Sequence, residues 1–238
     1  MEQRAETRAA ARTDNEAARV RGVFATRNEM NQGPFDPYAL CAHQERQQAL
    51  AQFFRRIGLS SLRNLRMLDI GCGSGGNLRR MVDFGAEPQN CCGIDLFRKA
   101  LLSGRAVNPG IFLLEGTAAE LPFADGQFDL VFQFTVLTSV LDGSARRSIV
   151  SEVSRTLRKG GYLIWYDFAY SNPRNANVRG IGKREIAELL TGFRLEFQKI
   201  TLAPPIGRPA VKISPTLYWL LNLLPVLRSH YFCFAEKR

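Results

Sequence analysis

Paired cysteines, a long apolar run and a dense basic block are all missing from this 238-residue chain. Cys41, Cys72, Cys91, Cys92 and Cys233 contain no C-x-x-C spacing and are odd in number, so neither a disulfide framework nor a zinc site is signalled. Reduced thiols in a cytoplasmic chain fit best. The longest apolar run, Leu217 to Leu227, is broken by Asn222 and Pro225, and a bilayer span needs roughly 20 apolar residues. The first residues also lack the apolar core of a secretory signal. Lys and Arg exceed Asp and Glu by 10, a balance that would suit nucleic acid or an anionic surface. The basic residues are not packed into one block interleaved with aromatics, however. Residues 171–238 instead hold eleven Lys/Arg against four Asp/Glu, a surplus of seven, where substrate specificity is expected. With 45% apolar and 23% charged residues, the composition is that of one well-buried globular domain with an extension.

What is present is a glycine turn. In Leu65-Arg66-Met67-Leu68-Asp69-Ile70-Gly71-Cys72-Gly73-Ser74-Gly75-Gly76-Asn77, a short apolar run ends and breaks into four glycines within six residues. That pattern predicts a buried strand, a tight turn and a helix. Glycines let the backbone approach a ligand without a Cβ in the way, and the next helix aims its free N–H groups at the same spot. Gly71, Gly73 and Gly76 also satisfy the dinucleotide fingerprint G-x-G-x-x-G, so a nicotinamide oxidoreductase is one reading. Asp69 weighs against it, because a carboxylate there repels a pyrophosphate and attracts an amino-bearing ligand. Asp95, at the end of the next apolar run, stands where a β-α-β unit holds a ribose. Together the two acids fit a nucleoside carrying an amino acid.

These residues resemble the class I S-adenosylmethionine-dependent methyltransferases, small-molecule type. The D-x-G-x-G-x-G signature matches at Asp69, Gly71, Gly73 and Gly75, and Asp95 stands at the family's ribose acid. Gly116-Thr117-Ala118-Ala119-Glu120-Leu121-Pro122-Phe123-Ala124-Asp125-Gly126-Gln127-Phe128-Asp129-Leu130-Val131 resembles the adenine-binding loop and fourth strand. The cofactor implied is S-adenosyl-L-methionine. Its implied contacts are Asp69, Gly71, Cys72, Gly73, Gly75, Asp95, Leu96, Thr117, Ala118, Glu120 and Gln133. The close resemblance covers about residues 62–168. A binding protein that keeps the fold without catalysis is a further alternative.

Taken in order, residues 1–33 read as a solvated helix or a loose tail, rich in Ala, Arg and Glu. Gly33 to Tyr38 reads as a turn, with Asp36 as cap and Pro37 opening a helix to about Ile57 that Gly58 stops. Its His43 is a solvated polar residue or part of a lid over the cofactor. Helices are then expected over 77–84, 96–105, 144–157 (closed by Gly160-Gly161) and 183–190. Strands are expected over 90–95, 111–115, 128–134, 162–167, 194–202 and 230–235. Alternation of this kind predicts a doubly wound, Rossmann-like sheet of seven strands, mostly parallel, with ligands beyond the strands' carboxyl ends. The resemblance implies that the last strand is antiparallel and lies between the fifth and sixth, so its beginning faces the site. The expected organisation is a helical extension or lid over 1–60, and a methyltransferase domain over 61–238. Residues 203–229, punctuated by five prolines, are expected to form a substrate-facing cap.

Transfer of a methyl to a hydroxyl needs a base near the strand ends. His230 is the candidate, with an unperturbed pKa near 6.5, and Asp167 is the alternative. Gln133, Thr135 and Tyr166 complete the polar set. Among Trp165, Tyr166, Phe168 and Tyr170, alternation sends some residues to the core and some to the site. Arg174, Arg179 and Arg208 are candidates for gripping a substrate anion. The run Pro215 to Pro225 is apolar almost all round and reads as a buried helix, or as one touching a lipid tail or membrane surface, flanked by Arg208, Lys212 and Arg228. A flipped base needs a polar pocket motif after strand four, and Phe132-Gln133-Phe134-Thr135 has none. The expected acceptor is therefore a small molecule, a glycan or a lipid-linked compound, with no nucleic acid and no metal.

Overall fold

Short apolar strands feeding glycine turns, each followed by a helix with one apolar face, can bury both sheet faces only by winding alternately above and below. The computed structural model, which describes residues 2–25 and 35–238, has this architecture. Its strands are β1 (Met67–Ile70), β2 (Cys91–Asp95), β3 (Phe112–Glu115), β4 (Phe128–Phe134), β5 (Leu157–Phe168), β6 (Phe193–Leu202) and β7 (Arg228–Lys237). The helices are α1 (Glu2–Ala25), α2 (Pro37–Arg56), α3 (Gly76–Asp83), α4 (Arg98–Val107), α5 (Gly143–Thr156), α6 (Lys183–Leu189), α7 (Pro204–Ile213) and α8 (Pro215–Asn222). The sheet order is β3-β2-β1-β4-β5-β7-β6. β7 alone runs antiparallel to its neighbours, pairing Phe168 and Ile200 with His230. The order reverses between β1 and β4, the place where such sheets open a ligand crevice.

Alternation along the central strands divides the core. Leu68, Ile70, Val131, Leu163 and Trp165 face Ile149, Val150 and Val153 of α5 and Ile186 of α6. Met67, Phe132, Ile164, Phe232 and Phe234 face the other way, against α2, α3 and α4. Phe53 of α2 stacks on Phe234, with ring centroids 3.9 Å apart. A third cluster joins Tyr38 and Cys41 of α2 to Val211 of α7 and Tyr218 of α8.

Of the first segment, Glu2–Ala25 forms a helix, α1, while residues 26–33 lie outside the described residues. Glu16 and Val20 of α1 are buried, and the Glu16 carboxylate accepts the Leu141 N–H at 2.5 Å. Gly33 and Pro34 of the expected turn lie outside the described residues, whereas Asp36 caps α2 by accepting the Tyr38 N–H at 2.9 Å. Leu157 to Gly161 differ from the sequence reading. They do not close α5 but begin β5, which bulges against β4 between Phe128 and Leu130. Gly160, at φ 68°, supplies the left-handed turn, and a Cβ on Gly161 would sit 2.9 Å from the Asp129 carbonyl oxygen.

The apolar run 215–225 is not simply buried. α8 buries Tyr218 and Asn222 while Leu220, Leu223 and Leu224 remain exposed. The cause is a carboxyl group on α2. Glu45 is buried and accepts the Tyr218 hydroxyl at 3.0 Å, the Asn222 amide at 2.7 Å and the Thr201 N–H at 3.0 Å. Satisfying those polar groups inside turns the leucines outward.

Candidate active site

The carboxyl ends of β1, β4 and β5 and the beginning of β7 open into a cleft of about 1520 Å³. Gly71, Leu96, Phe97 and Glu115 line one side of it, and Phe134, Thr135, Tyr166, Phe168 and His230 line the other. Tyr38, Ala42, His43 and Arg46 of α2 close over it, with Arg21 and Phe24 of α1 at the rim and Pro204 and Arg208 of α7 beside them.

The turn after β1 is shaped by its glycines. Gly71 has φ 68°, and a Cβ there would lie 2.5 Å from Val136 Cγ2, so no other residue fits without displacement. Beneath it, Asp69 is wholly buried. Its Oδ2 accepts the Asn77 amide at 3.2 Å, and its Oδ1 has no partner among the described residues. Burial, reinforced by the Asp95 charge and opposed by the Asn77 hydrogen bond, pushes the Asp69 carboxyl up to about 8. A buried carboxylate oxygen without a donor is a receptor for one. Next to Asn77, a smaller recess is lined by His43, Arg46 and Arg80. Burial, then Arg46 and Arg80, push His43 down to about 4. An acid for an ammonium and two guanidiniums for a carboxylate together match the amino-acid end of S-adenosylmethionine. Asp95 accepts Gly73 N–H at 2.7 Å and Phe97 N–H at 2.9 Å, which fixes the turn and leaves lone pairs for ribose hydroxyls.

Gly71 and Leu96 reach the cleft wall. Cys72 is buried against Gly93, where its side chain would meet any added Cβ, and Gly75 starts α3 in the left-handed region at φ 79°. Thr117, Ala118 and Glu120 follow β3 and are not on the wall; Thr117 Oγ1 accepts the Ala119 N–H at 3.3 Å. Gln133 is wholly buried on the α5 side of the sheet, opposite Trp165, and neither its amide oxygen nor its nitrogen has a partner among the described residues.

The two candidate bases occupy different places. Asp167 lies under the wall, fully buried, accepting the Thr138 hydroxyl and the Thr138 and Phe168 N–H groups, both at 3.2 Å. Burial raises its carboxyl to about 7, against the Thr138 and Phe168 hydrogen bonds. His230 is on the wall, between the rings of Tyr166 and Phe168. Burial, then the Arg46 charge, push it down to about 3, so it is neutral. Ser229 Oγ donates to the Thr201 carbonyl at 3.4 Å and contacts His230 Nδ1 at 3.0 Å. In the tautomer in which the Ser229 hydroxyl gives its single proton to Thr201, Nδ1 is the donor to Ser229 and the Nε2 lone pair is free.

Arg208 lines the cleft and pairs with Asp36 at 3.3 Å, whereas Arg179 is held by Glu185 at 2.6 Å and Arg174 is exposed away from the wall. Sequence reasoning did not single out Tyr38, Glu45, Arg46, Arg80 or Thr201. Glu45 carried a signal, since it falls on the stripe Tyr38, Cys41, Ala42 and Ala49 that α2 buries. Thr135 and Thr201, at φ 58° and 66°, are the positive-φ residues other than glycine among the described residues, and both line the cleft. Backbone strain of that kind gathers at functional sites.

Residues 68–165 match the methyltransferase domain family Methyltransf_11. Phthiotriol/phenolphthiotriol dimycocerosates methyltransferase 1 of Mycobacterium ulcerans is 32% identical over 139 residues, 54% of this chain and 50% of its own length. Demethylmenaquinone methyltransferase of Beutenbergia cavernae is 31% identical over 153 residues, 64% and 55% respectively. The chain thus spans about half the length of these curated relatives. The fold is shared with a putative sarcosine dimethylglycine methyltransferase from Galdieria sulphuraria, with TM-score 0.62 at 13% identity over 94% of this chain and 98% of that one. An S-adenosylmethionine-dependent methyltransferase from Mesorhizobium loti gives 0.59 at 20% identity, over 76% and 95%.

Proposed function

Because the chain belongs to the class I S-adenosylmethionine-dependent methyltransferases, we propose that it methylates an apolar, lipid-like small molecule at a hydroxyl borne by an aromatic ring. The observation that carries this reading is the aromatic side of the cleft. Tyr38, Phe134, Tyr166 and Phe168 line it with aromatic rings, and a glycan would instead need a dense set of polar partners for its hydroxyls. Two relatives are named for a phthiotriol dimycocerosate and for a demethylmenaquinone. A third is named for sarcosine and dimethylglycine, so the family alone does not choose the acceptor.

S-adenosylmethionine supplies, when bound, an electrophilic methyl on a sulfonium. Asp69, Asp95 and the Gly71–Gly75 turn would hold it, with Arg46 and Arg80 at its carboxylate. The chain's own work is then positioning, exclusion of water and disposal of one proton. In this reading His230 Nε2 accepts the hydroxyl proton as the oxygen takes the methyl, and the Tyr166 face stabilises the imidazolium that forms. A base pushed down to about 3 suits a hydroxyl acidified by a ring better than an aliphatic alcohol. Thr138 and Phe168 tie Asp167 into a supporting role in positioning the β5 end. The helices of 203–229 act as a cap through Pro204 and Arg208, and α1 and α2 act as the lid. Five unpaired, buried thiols suit a cytoplasmic setting.

The test is incubation of the purified chain with methyl-labelled S-adenosylmethionine and separate lipid and aqueous extracts. Label should enter the organic phase. Label confined to the aqueous phase would overturn the acceptor class, and binding of S-adenosylhomocysteine without transfer to either fraction would leave only a binding protein.

A further inference from the structure

α8 carries its polar and apolar residues the wrong way round for a helix against water. At 3.6 residues per turn, Tyr218 and Asn222 fall on one face, and that face is the buried one. Leu220 falls on the opposite face, where a water-soluble helix places charged groups, and Leu223, which caps α8, is exposed as well. The chain stays apolar beyond the helix, with Leu224 and then Val226 in the turn before β7. Leu223 is 71% exposed, and both Val226 and Ile213, at the end of α7, are 78% exposed. Nothing in the described residues covers these five side chains.

The charged residues of the surrounding segment have one sign. From residue 197 to 235 the sequence contains no Asp or Glu, while Lys199, Arg208, Lys212 and Arg228 are present. Lys212 is exposed, one residue before Ile213. Arg208 is paired with Asp36 and Arg228 is held by the Asn222 and Lys199 carbonyls, which leaves Lys212 as the cation beside the exposed apolar side chains. A cation beside hydrocarbon, with no acid in the segment that carries them, complements an interface of hydrocarbon below anionic headgroups. A protein surface would be expected to answer the cations with acids and the leucines with a shaped groove. A bilayer asks for neither. No helix among the described residues is long and apolar enough to cross a membrane, so the contact is peripheral. α7 also connects this face to the cleft, since Pro204 and Arg208 at its start line the acceptor side and Ile213 at its end joins the exposed patch.

We propose that the exposed face of Ile213, Leu220, Leu223, Leu224 and Val226, with Lys212, seats the protein on an anionic membrane surface and brings the cleft to acceptors held there. This deepens the reading of a lipid-like acceptor and can be tested apart from it.

The experiment uses the full chain with phosphatidylcholine vesicles and with vesicles that also contain phosphatidylglycerol. Co-flotation should favour the anionic vesicles and weaken with salt. Emission of Trp219, half-buried in α8, should shift to the blue on binding, and the shift should vanish in Trp219→Phe. The double variant Leu223→Glu/Val226→Glu should lose vesicle binding about 10-fold or more while its S-adenosylhomocysteine affinity, measured by calorimetry, stays unchanged. Absence of vesicle binding in the wild type overturns the proposal, and so does binding that the double variant retains. A dimer in light scattering that the same variant dissolves, with no vesicle binding, assigns the face to a second copy and also overturns it. Patch-dependent vesicle binding without label entering any lipid would keep the membrane inference and sink only the acceptor class.

Discussion

Tyr166 and His230 stack with ring centroids 4.6 Å apart and planes 1° from parallel. They come from antiparallel neighbours, β5 and β7, which pair Phe168 with His230. The stack puts an imidazole at the cleft wall with its Nδ1 side turned to Ser229 and its neutral form favoured by burial. Replacing His230 with Ala should lower turnover about 10²-fold, as expected for loss of a general base. The affinity for S-adenosylhomocysteine should stay within a few-fold. His230 takes up a proton only near pH 3 on falling pH, so kcat should show no acidic limb between pH 5 and 8 that His230→Ala abolishes. Full activity in that variant would transfer the role to simple proximity.

Asp69 trades stability for binding. Its carboxyl is raised to about 8 in the folded chain, against about 3.9 in an unfolded one. Both states are protonated below that lower value, and the native state loses stability as pH rises from there towards 8, because only the unfolded chain releases its proton freely. Asp69→Asn lacks this loss. It should melt a few degrees higher than wild type at pH 8 and at the same temperature at pH 4, while S-adenosylhomocysteine binding weakens about 10-fold or more. Scanning fluorimetry at the two pH values decides the matter, and a variant less stable at pH 8 would contradict it.

Arg46 acts on both histidines. Its guanidinium lies 2.5 Å from His43 Nδ1 and 4.9 Å from the centroid of the Tyr166 ring, and its charge helps to lower both His43 and His230. Arg46→Ala should therefore raise the pKa of both histidines, followed by the ring-proton shifts in an NMR titration. Unmoved titrations would mean that burial alone sets them.

Glu45 locks α2 to β6 and α8 through Thr201, Tyr218 and Asn222. Glu45→Ala leaves three buried donors without an acceptor and should destabilise the chain by about 3 kcal/mol. Glu45→Gln, which keeps one acceptor oxygen, should be milder. Equal urea midpoints for wild type and Glu45→Ala would show that the hub carries no stability.

The local and periodic features were legible in the sequence. The glycine turn after β1 follows from residues that admit φ near 70° at Gly71, and the α/β alternation follows from apolar periods separated by Gly, Pro and Asn. The cap at Asp36 and the bounds of α2 are equally local, since they depend on neighbours a few residues apart. Family resemblance, not periodicity, placed β7 between β5 and β6, and with it His230 at the cleft.

Only the tertiary structure could decide which polar groups meet across distance. Glu45 and Asn222 are 177 residues apart in sequence, and their contact leaves Leu220 of α8 and Leu223 and Leu224 just beyond it outside the core. Arg46 shares the cleft with His230 although nothing near either residue announces the other. The exposed orientation of α8 and the lowered basicity of His230 both depend on desolvation and on charges from distant elements. Those forces act between surfaces that exist only once the sheet is wound.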